Sequence, residues 1–251
     1  MEINKDLHVS TMTFVSKTNT NVSLEGLFNN LKINEMFKYI EFGDKPPKGE
    51  KILKIKNPRK LKPKKFFYNQ VTVHVFNEKI VNVKVFNNGR FQMTGIKYKQ
   101  QGINIVNNIL EYINNLPDEN KETIIDNLPA KMISSDIVMI NTDFDCKFKI
   151  NNENLHRLII NEGYYSSYEP SIYPGVNIKY YFNKMNPNCG ICKCNDLCNG
   201  KGKNGNCKKI TIAVFKSGCA IVTGGQTEEQ INTAYAFINN ILNKRKKEIS
   251  Q

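Results

Sequence analysis

Long apolar runs are missing. Nowhere in the 251 residues do about 18 apolar side chains follow one another, so no membrane span is expected. The opening residues MEINKDLHVS contain no apolar core behind a basic flank, so no signal peptide is expected. A soluble, non-secreted protein follows as the expectation. Histidine is scarce: His8, His74 and His156 are scattered, and none stands at His-x-x-x-His or Cys–His spacing. No Gly-x-x-x-x-Gly-Lys-Ser/Thr loop and no Gly-x-Ser-x-Gly elbow occurs, which removes the commonest phosphate cradle and a common nucleophile. Glu162 and Glu169 could form a carboxylate pair, but their Gly, Tyr and Pro neighbours read more simply as loop. No catalysis is expected.

Positive charge is abundant and clustered. The net charge is +13. Residues 45–65 hold ten Lys or Arg against one Glu, residues 184–209 six Lys against one Asp, and residues 244–248 add more. Clustered positive charge favours a polyanion, nucleic acid being the usual one. Solvated basic loops in a Lys-rich proteome are the plain alternative. With 40% apolar residues the chain can bury a substantial core.

The chain repeats itself. Residues 85–95 read VFNNGRFQMTG and residues 214–224 read VFKSGCAIVTG, both fitting V-F-x-x-G-x-x-x-x-T-G. Val81, Val83 and Val85 precede the first copy in strict alternation, and Ile210, Ile212 and Val214 the second, as in half-buried strands. Asn88-Gly89 and Ser217-Gly218 supply hairpin turns. Apolar residues at helical spacing follow each copy: Val106, Ile109 and Ile113, then Tyr235, Ile238 and Leu242. Thr227 is the expected N-cap of the second helix, with Glu228 and Glu229 in its positive first turn. The stretches VSTMTFVSK and IVMINTDFDCKFKI open each copy as strands, and VSLEGLFNNL and NENLHRLI follow as short helices. Each unit is thus strand, helix, four strands, helix. Expected boundaries are 1–116 for the first repeat, 117–136 for a linker and 137–251 for the second. The fold class is α+β: a pseudo-twofold arrangement with one antiparallel curved sheet and helices on one side. The uncovered face is then a candidate binding surface.

The second copy also contains SSYEPSIYPG, residues 166–175. With VFKSGCAIVTG and the following helix, this closely resembles the C-terminal repeat of the TATA-binding protein family. The first copy resembles the N-terminal repeat more distantly, and together they cover about residues 7–243. Extra material lies near 40–65, 116–136 and 184–209. The resemblance implies a saddle whose concave sheet sits on the DNA minor groove, with aromatic side chains wedged between base steps, the mode for which that family is the standing example. It implies promoter binding and bending in transcription initiation, with recruitment of a transcription factor B-like protein and RNA polymerase. An A·T-rich duplex is the implied site. Composition and divergence point to a large DNA virus or a protist, and hence to the nucleus or a cytoplasmic viral factory.

Carried over singly, the implied wedges are Phe215 and Tyr173 in the second copy, and Phe86 with either Phe66 or Phe67 in the first. Thr94 and Thr223 match groove-facing threonines, and Ile221 an apolar contact. Arg90, Lys97 and Lys179 match phosphate-contacting positions, whereas Cys219 and Gln226 stand where the family has lysine. At the centre, Thr11 and Met139 replace the family's asparagines, and Thr13 and Asn141 replace valines. The minor groove offers a coarse code read largely at such positions, so a loosened TATA preference is expected. Deformability of A·T-rich DNA could still supply selectivity. Glu169 and Ile172 match the surface that receives factor B. Plainly read, the same aromatic residues could be core and the threonines ordinary strand ends. Agreement of two copies in order and spacing favours the site. An architectural or protein-interaction module on the same fold, without promoter function, is the alternative.

Between VNIKYYF and ITIAVF the second copy carries NCGICKCNDLCNGKGKNGNC, where the first has only NEK. Four thiolates suit tetrahedral zinc, and a Gly-, Asn- and Lys-rich loop without a core needs something to order it. Cys189, Cys192, Cys198 and Cys207 are the expected ligands, with Cys194 spare. Free cysteines in a loop are the alternative, and disulfides are disfavoured inside a cell. Cys146 and Cys219 read as small, buried residues.

Overall fold

The computed structural model describes residues 2–51, 66–194, 197–201 and 205–251. Most of the basic stretch at 45–65 therefore lies outside the described residues. Two compact units emerge, Met12–Ile137 and, from both ends of the chain, Met1–Thr11 with Val138–Gln251.

The first unit takes most of β1 (His8–Thr18), followed by helix α1 (Leu24–Asn30), β2 (Phe37–Phe42), β3 (Lys48–Gly49), β4 (Gln70–Asn77), β5 (Lys79–Phe86), β6 (Arg90–Ile96), α2 (Lys99–Asn114) and α3 (Asp118–Glu122). Its strand order is β3-β2-β4-β5-β6-β1, with antiparallel pairing between β1 and β6 and throughout β2 to β6. The second unit takes most of β7 (Met132–Asp145), then α4 (Asn152–Asn161), β8 (Tyr165–Ser167), β9 (Val176–Asn183), β10 (Cys207–Val214), β11 (Cys219–Gly225), α5 (Glu228–Lys244) and α6 (Lys246–Ile249). Its order is β7-β11-β10-β9-β8, again antiparallel. Apart from the two-residue β3, the units share one connectivity, as the repeat predicts.

Alternation decides which face is covered. Val81, Val83 and Val85 are buried, as are Ile210, Ile212 and Val214. Helix α2 lies against β4 and β6 with Ile105, Val106, Ile109 and Ile113 buried; α5 lies against β9, β10 and β11 with Ile231, Tyr235, Ile238 and Leu242 buried. Two apolar surfaces, one of period two and one of period 3.6, are removed from water against each other. At the start of α5 the Thr227 hydroxyl accepts from the Gln230 N–H, and Gln230 Oε1 accepts from the Gln226 N–H at 2.8 Å. The other long helix repeats this device in part, with Gln101 Oε1 accepting from the Lys97 N–H at 3.0 Å. These exchanges satisfy N–H groups that no helical carbonyl can reach.

The glycine of V-F-x-x-G is fixed by its turn. Gly89 and Gly218 have φ of 72° and 91°. A Cβ would sit 2.0 Å from the Thr20 carbonyl oxygen at one and 2.3 Å from that of Phe148 at the other. The glycine of T-G marks a bulge: the β1–β6 register slips around Gly95, and the β7–β11 register around Gly224.

The N-terminal residues dock on the second unit. The Asn4 N–H donates to Asn232 Oδ1 at 2.9 Å, Asn232 Nδ2 donates to the Glu2 carbonyl at 2.8 Å, and the Tyr235 hydroxyl reaches Asp6 at 3.4 Å. Among the described residues no helix is long and apolar enough to cross a membrane.

Candidate nucleic-acid interface

The uncovered face of each unit is built from the side chains between the buried ones. In the first unit Asn82 and Lys84 alternate with the buried valines of β5. Asn82 pairs across with Thr94, and Thr94 with Thr13, giving one row of polar side chains. Thr94 is exposed, whereas Thr13 is only 6% exposed. A second row runs Thr72–Lys84–Gln92, and at the end of β6 Arg90 stands opposite Lys17. Lys97 is half-buried beyond the strand.

The second unit repeats the plan with different residues. Lys179, Thr211, Thr223 and Asn141 form one row across β9, β10, β11 and β7. Lys179 Nζ donates to Thr211 Oγ1 at 3.0 Å, and the Thr223 hydroxyl donates to Asn141 Oδ1. Burial, then the neighbouring Lys209 charge, holds the Lys179 ammonium below its usual range. An anion arriving there would favour the charged form and oppose that depression. Ile221 lies in the next row, between Ala213 and Asp143. Thr11 is half-buried, and Met139 is 36% exposed.

Aromatic rings stand at the ends of the faces. Tyr173 and Phe215 meet with ring centroids 5.7 Å apart. Both touch the place where a Cβ on Gly175 would be, at 3.0 Å, so the Pro-Gly after Tyr173 makes room for the pair. The Glu169 carbonyl accepts from the N–H groups of Ile172 and Tyr173 at 2.9 and 2.8 Å. This turn presents the Tyr173 ring and leaves Ile172 84% exposed beside an exposed Glu169. In the first unit Phe86 is half-buried and pairs with Gln70. Phe66 and Phe67, both about half exposed, line a cleft of ≈ 330 Å³ with Gln70, Thr72, His74 and Asn82.

The rows also hold residues that the sequence reading missed. Asn82, Lys84, Lys17 and Thr211 belong to the uncovered faces, and the alternation that identified Val81, Val83 and Val85 could have found those within β5. The charge contrast at the strand ends needed the register. Lys17 opposes Arg90 in one unit, while the matching pair in the other is Asp145 opposing Cys219. Asp143, one row in, accepts from Ser10 Oγ at 2.5 Å and lies 3.1 Å from His8 Nδ1. Cys219 is exposed rather than buried as its size suggested, and the burial it does have, then Asp143 and Asp145, pushes its thiol up. One unit thus offers two cations where the other offers a carboxylate. If polyanion binding uses these ends, Cys219→Lys should steepen the dependence of log affinity on log salt by about 0.9, one added phosphate contact. Arg90→Ala should flatten it by the same amount. Anisotropy titrations over a salt series check both, and equal slopes for all three proteins would exclude these ends from the contact.

The cysteines cluster, with one correction. Cys192, Cys194, Cys198 and Cys207 bring four sulfurs within 4.8 Å of one another. Cys207 Sγ lies 3.5 Å from Cys194 and 3.7 Å from Cys192. A tetrahedral zinc with Zn–S of about 2.3 Å needs sulfurs roughly 3.8 Å apart, so the set fits such an ion. Cys189, favoured by its Cys-x-x-Cys spacing, lies outside the group, and Cys194 takes its place. The reason is local: the carbonyl of Gly190, at φ 71°, accepts from the Tyr181 N–H at 2.9 Å, and Gly190 rests against Tyr164 and Tyr180. That anchor keeps Cys189 out of the cluster.

Residues 135–245 match the family model described as "Transcription factor TFIID (or TATA-binding protein, TBP)". A protein of Acanthamoeba polyphaga mimivirus described as "TATA-box-binding protein-like" is 28% identical over 257 residues, covering 97% of this chain and 67% of that protein. The solved structure of Methanococcus jannaschii TBP superposes with a TM-score of 0.56, over 96% of this chain and 99% of that one, at 17% identity. The last match shows a common fold.

Proposed function

For a chain that is a divergent TBP-like protein, we propose binding of double-stranded DNA through the uncovered sheet faces, in the minor groove, with bending of the duplex in transcription initiation. The observation that carries this is the Tyr173–Phe215 ring pair seated over Gly175 at the end of a polar face. Partly exposed aromatic rings at a strand end, outside the covered core, suit insertion between base steps. Phe86, with Phe66 or Phe67, plays the same part in the first unit. Thr94, Thr223, Ile221, Thr11 and Met139 line the groove, with Thr13 and Asn141 behind or beside the threonines. Arg90, Lys97 and Lys179 meet phosphates. Contacts made on the bent duplex offset a bending cost of roughly 1–6 kcal/mol. None of this requires a reacting group.

Glu169 and Ile172 form the docking point for a factor B-like protein, through which RNA polymerase is recruited. An 84% exposed isoleucine held by a tight turn next to a carboxylate suits an apolar pocket with a basic rim. Zinc bound by Cys192, Cys194, Cys198 and Cys207 would supply a structural crosslink within the insert and no chemistry on DNA.

Selection from random duplexes, followed by end-to-end fluorescence transfer on the enriched sequences, tests the reading. The expected result is enrichment of A·T-rich, TA-containing DNA and a shortened end-to-end distance on binding. Enrichment without shortening would remove the wedges, and no enrichment would favour a sequence-blind architectural role.

A further inference from the structure

The insert is fastened to the uncovered face of its own unit. Tyr180 and Phe182 of β9 and Ile210 of β10 are buried, so Tyr181 and Lys209 belong to the other face, where they stand opposite each other. Gly200 of the insert lies against these two side chains. A Cβ on Gly200 would lie 2.6 Å from Lys209 Cβ and 3.3 Å from the Tyr181 ring, so the backbone there rests directly on both side chains. The Lys209 N–H donates to the Gly200 carbonyl at 2.7 Å, and the Tyr181 N–H to that of Gly190. Lys201 forms a further bridge with Lys208. One cluster cysteine, Cys207, is itself the first residue of β10. Two backbone bonds and a strand-borne cysteine fix the insert against the strands. It is positioned as an extension of the face that carries Lys179.

That extension is basic. Lys193, Lys201 and Lys209 are exposed, and none is paired with a carboxylate among the described residues. Lys209 is close enough to depress the Lys179 ammonium, and Gly200, next to Lys201, rests on Lys209, so positive charge continues from the strand row to the edge of the insert. A neutral or cationic partner gains nothing from such a surface, whereas a phosphate backbone does.

We propose that the cysteine insert is a second phosphate-binding surface, in which Lys193, Lys201 and Lys209 grip the backbone of duplex DNA beyond the segment covered by the strands. This rests on the DNA-binding reading above. Zinc held by the four cysteines would order the insert around Lys193 and Lys201, while strand β10 positions Lys209, which would let long, flexible side chains act at lower entropic cost.

The test compares the parent with a Lys193→Ala, Lys201→Ala, Lys209→Ala variant on two duplexes. One is trimmed to the shortest that the parent still binds, and the other is extended at both ends. Anisotropy titrations across a salt series give affinity and slope, and zinc content confirms that the variant keeps its cluster. On the extended duplex the variant should lose about tenfold in affinity or more, with the salt slope smaller by about 2–3. On the trimmed duplex the two proteins should differ by less than about twofold. Equal slopes on the extended duplex would overturn this proposal while leaving binding by the strands intact. If the parent binds neither duplex, the DNA reading falls and takes this one with it.

Discussion

Tyr173→Ala combined with Phe215→Ala should lower affinity for an A·T-rich duplex by about 10²-fold or more and abolish the change in end-to-end distance. Burying one large aromatic side chain is worth roughly 1.5–3 kcal/mol, and these two rings, in mutual contact, would lose their insertion together. The effect should fall short of the sum of the single substitutions, because each ring holds the other in place over Gly175 and either single change already loses that support. Tyr173→Phe is the informative control. It removes only the hydroxyl, so binding should change by less than about threefold. Far-UV circular dichroism of the double variant should match the parent, since Tyr173 is 39% exposed and Phe215 is not in the core. Full bending by the double variant would show that the rings are surface packing and that DNA, if bound, is held otherwise.

Removing Cys207 should have the largest effect on metal. The purified protein is expected to carry one zinc per chain, and Cys207→Ser to weaken zinc binding by at least ~10²-fold. Cys207 is buried at the base of the cluster, and without metal its burial pushes the thiol up to about 12. Cys198 is held down near 7, first by the backbone N–H of Gly200. Zinc must therefore displace a proton from Cys207 throughout the neutral range. Affinity should fall as pH is lowered, more steeply once Cys198 also becomes protonated in the free protein and zinc must displace its proton too. Cys194→Ser should reduce zinc content as Cys207→Ser does, while Cys189→Ser should leave it unchanged. Zinc retained by Cys194→Ser but lost by Cys189→Ser would reinstate the set suggested by spacing. Plasma emission spectrometry of dialysed protein reads all four cases.

Much of this architecture was legible because two copies constrain each other. Period two at Val81, Val83 and Val85 and at Ile210, Ile212 and Val214 identified the covered face. Gly89 and Gly218 marked the turns, and Thr227 with the two following glutamates marked the start of α5. Each of these signals is local, spanning fewer than ten residues. What escaped depends on which residues meet across strands. The opposition of Lys17 to Arg90 and of Asp145 to Cys219 follows from register, which bulges at Gly95 and Gly224 shift by one residue. The choice between Cys189 and Cys194 hinged on where one glycine carbonyl found its donor. Spacing along a loop rich in glycine does not encode that. Likewise, the side-chain bonds that draw residues 2–6 onto α5 have no period to read.

That N-terminal attachment bears on how the chain acquires its shape during synthesis. Asn4 finds its partner 228 residues later, at Asn232, and Asp6 finds Tyr235. On the ribosome, the first few residues must wait, unpartnered, while the whole of Met12–Ile137 emerges and can close on itself. The second unit becomes complete only when helix α5 has left the exit tunnel. Loop closure over so long a separation is slow relative to local pairing. The nascent chain should accordingly mature in two steps: early burial of the first unit, and late capture of the leading segment by the last long helix.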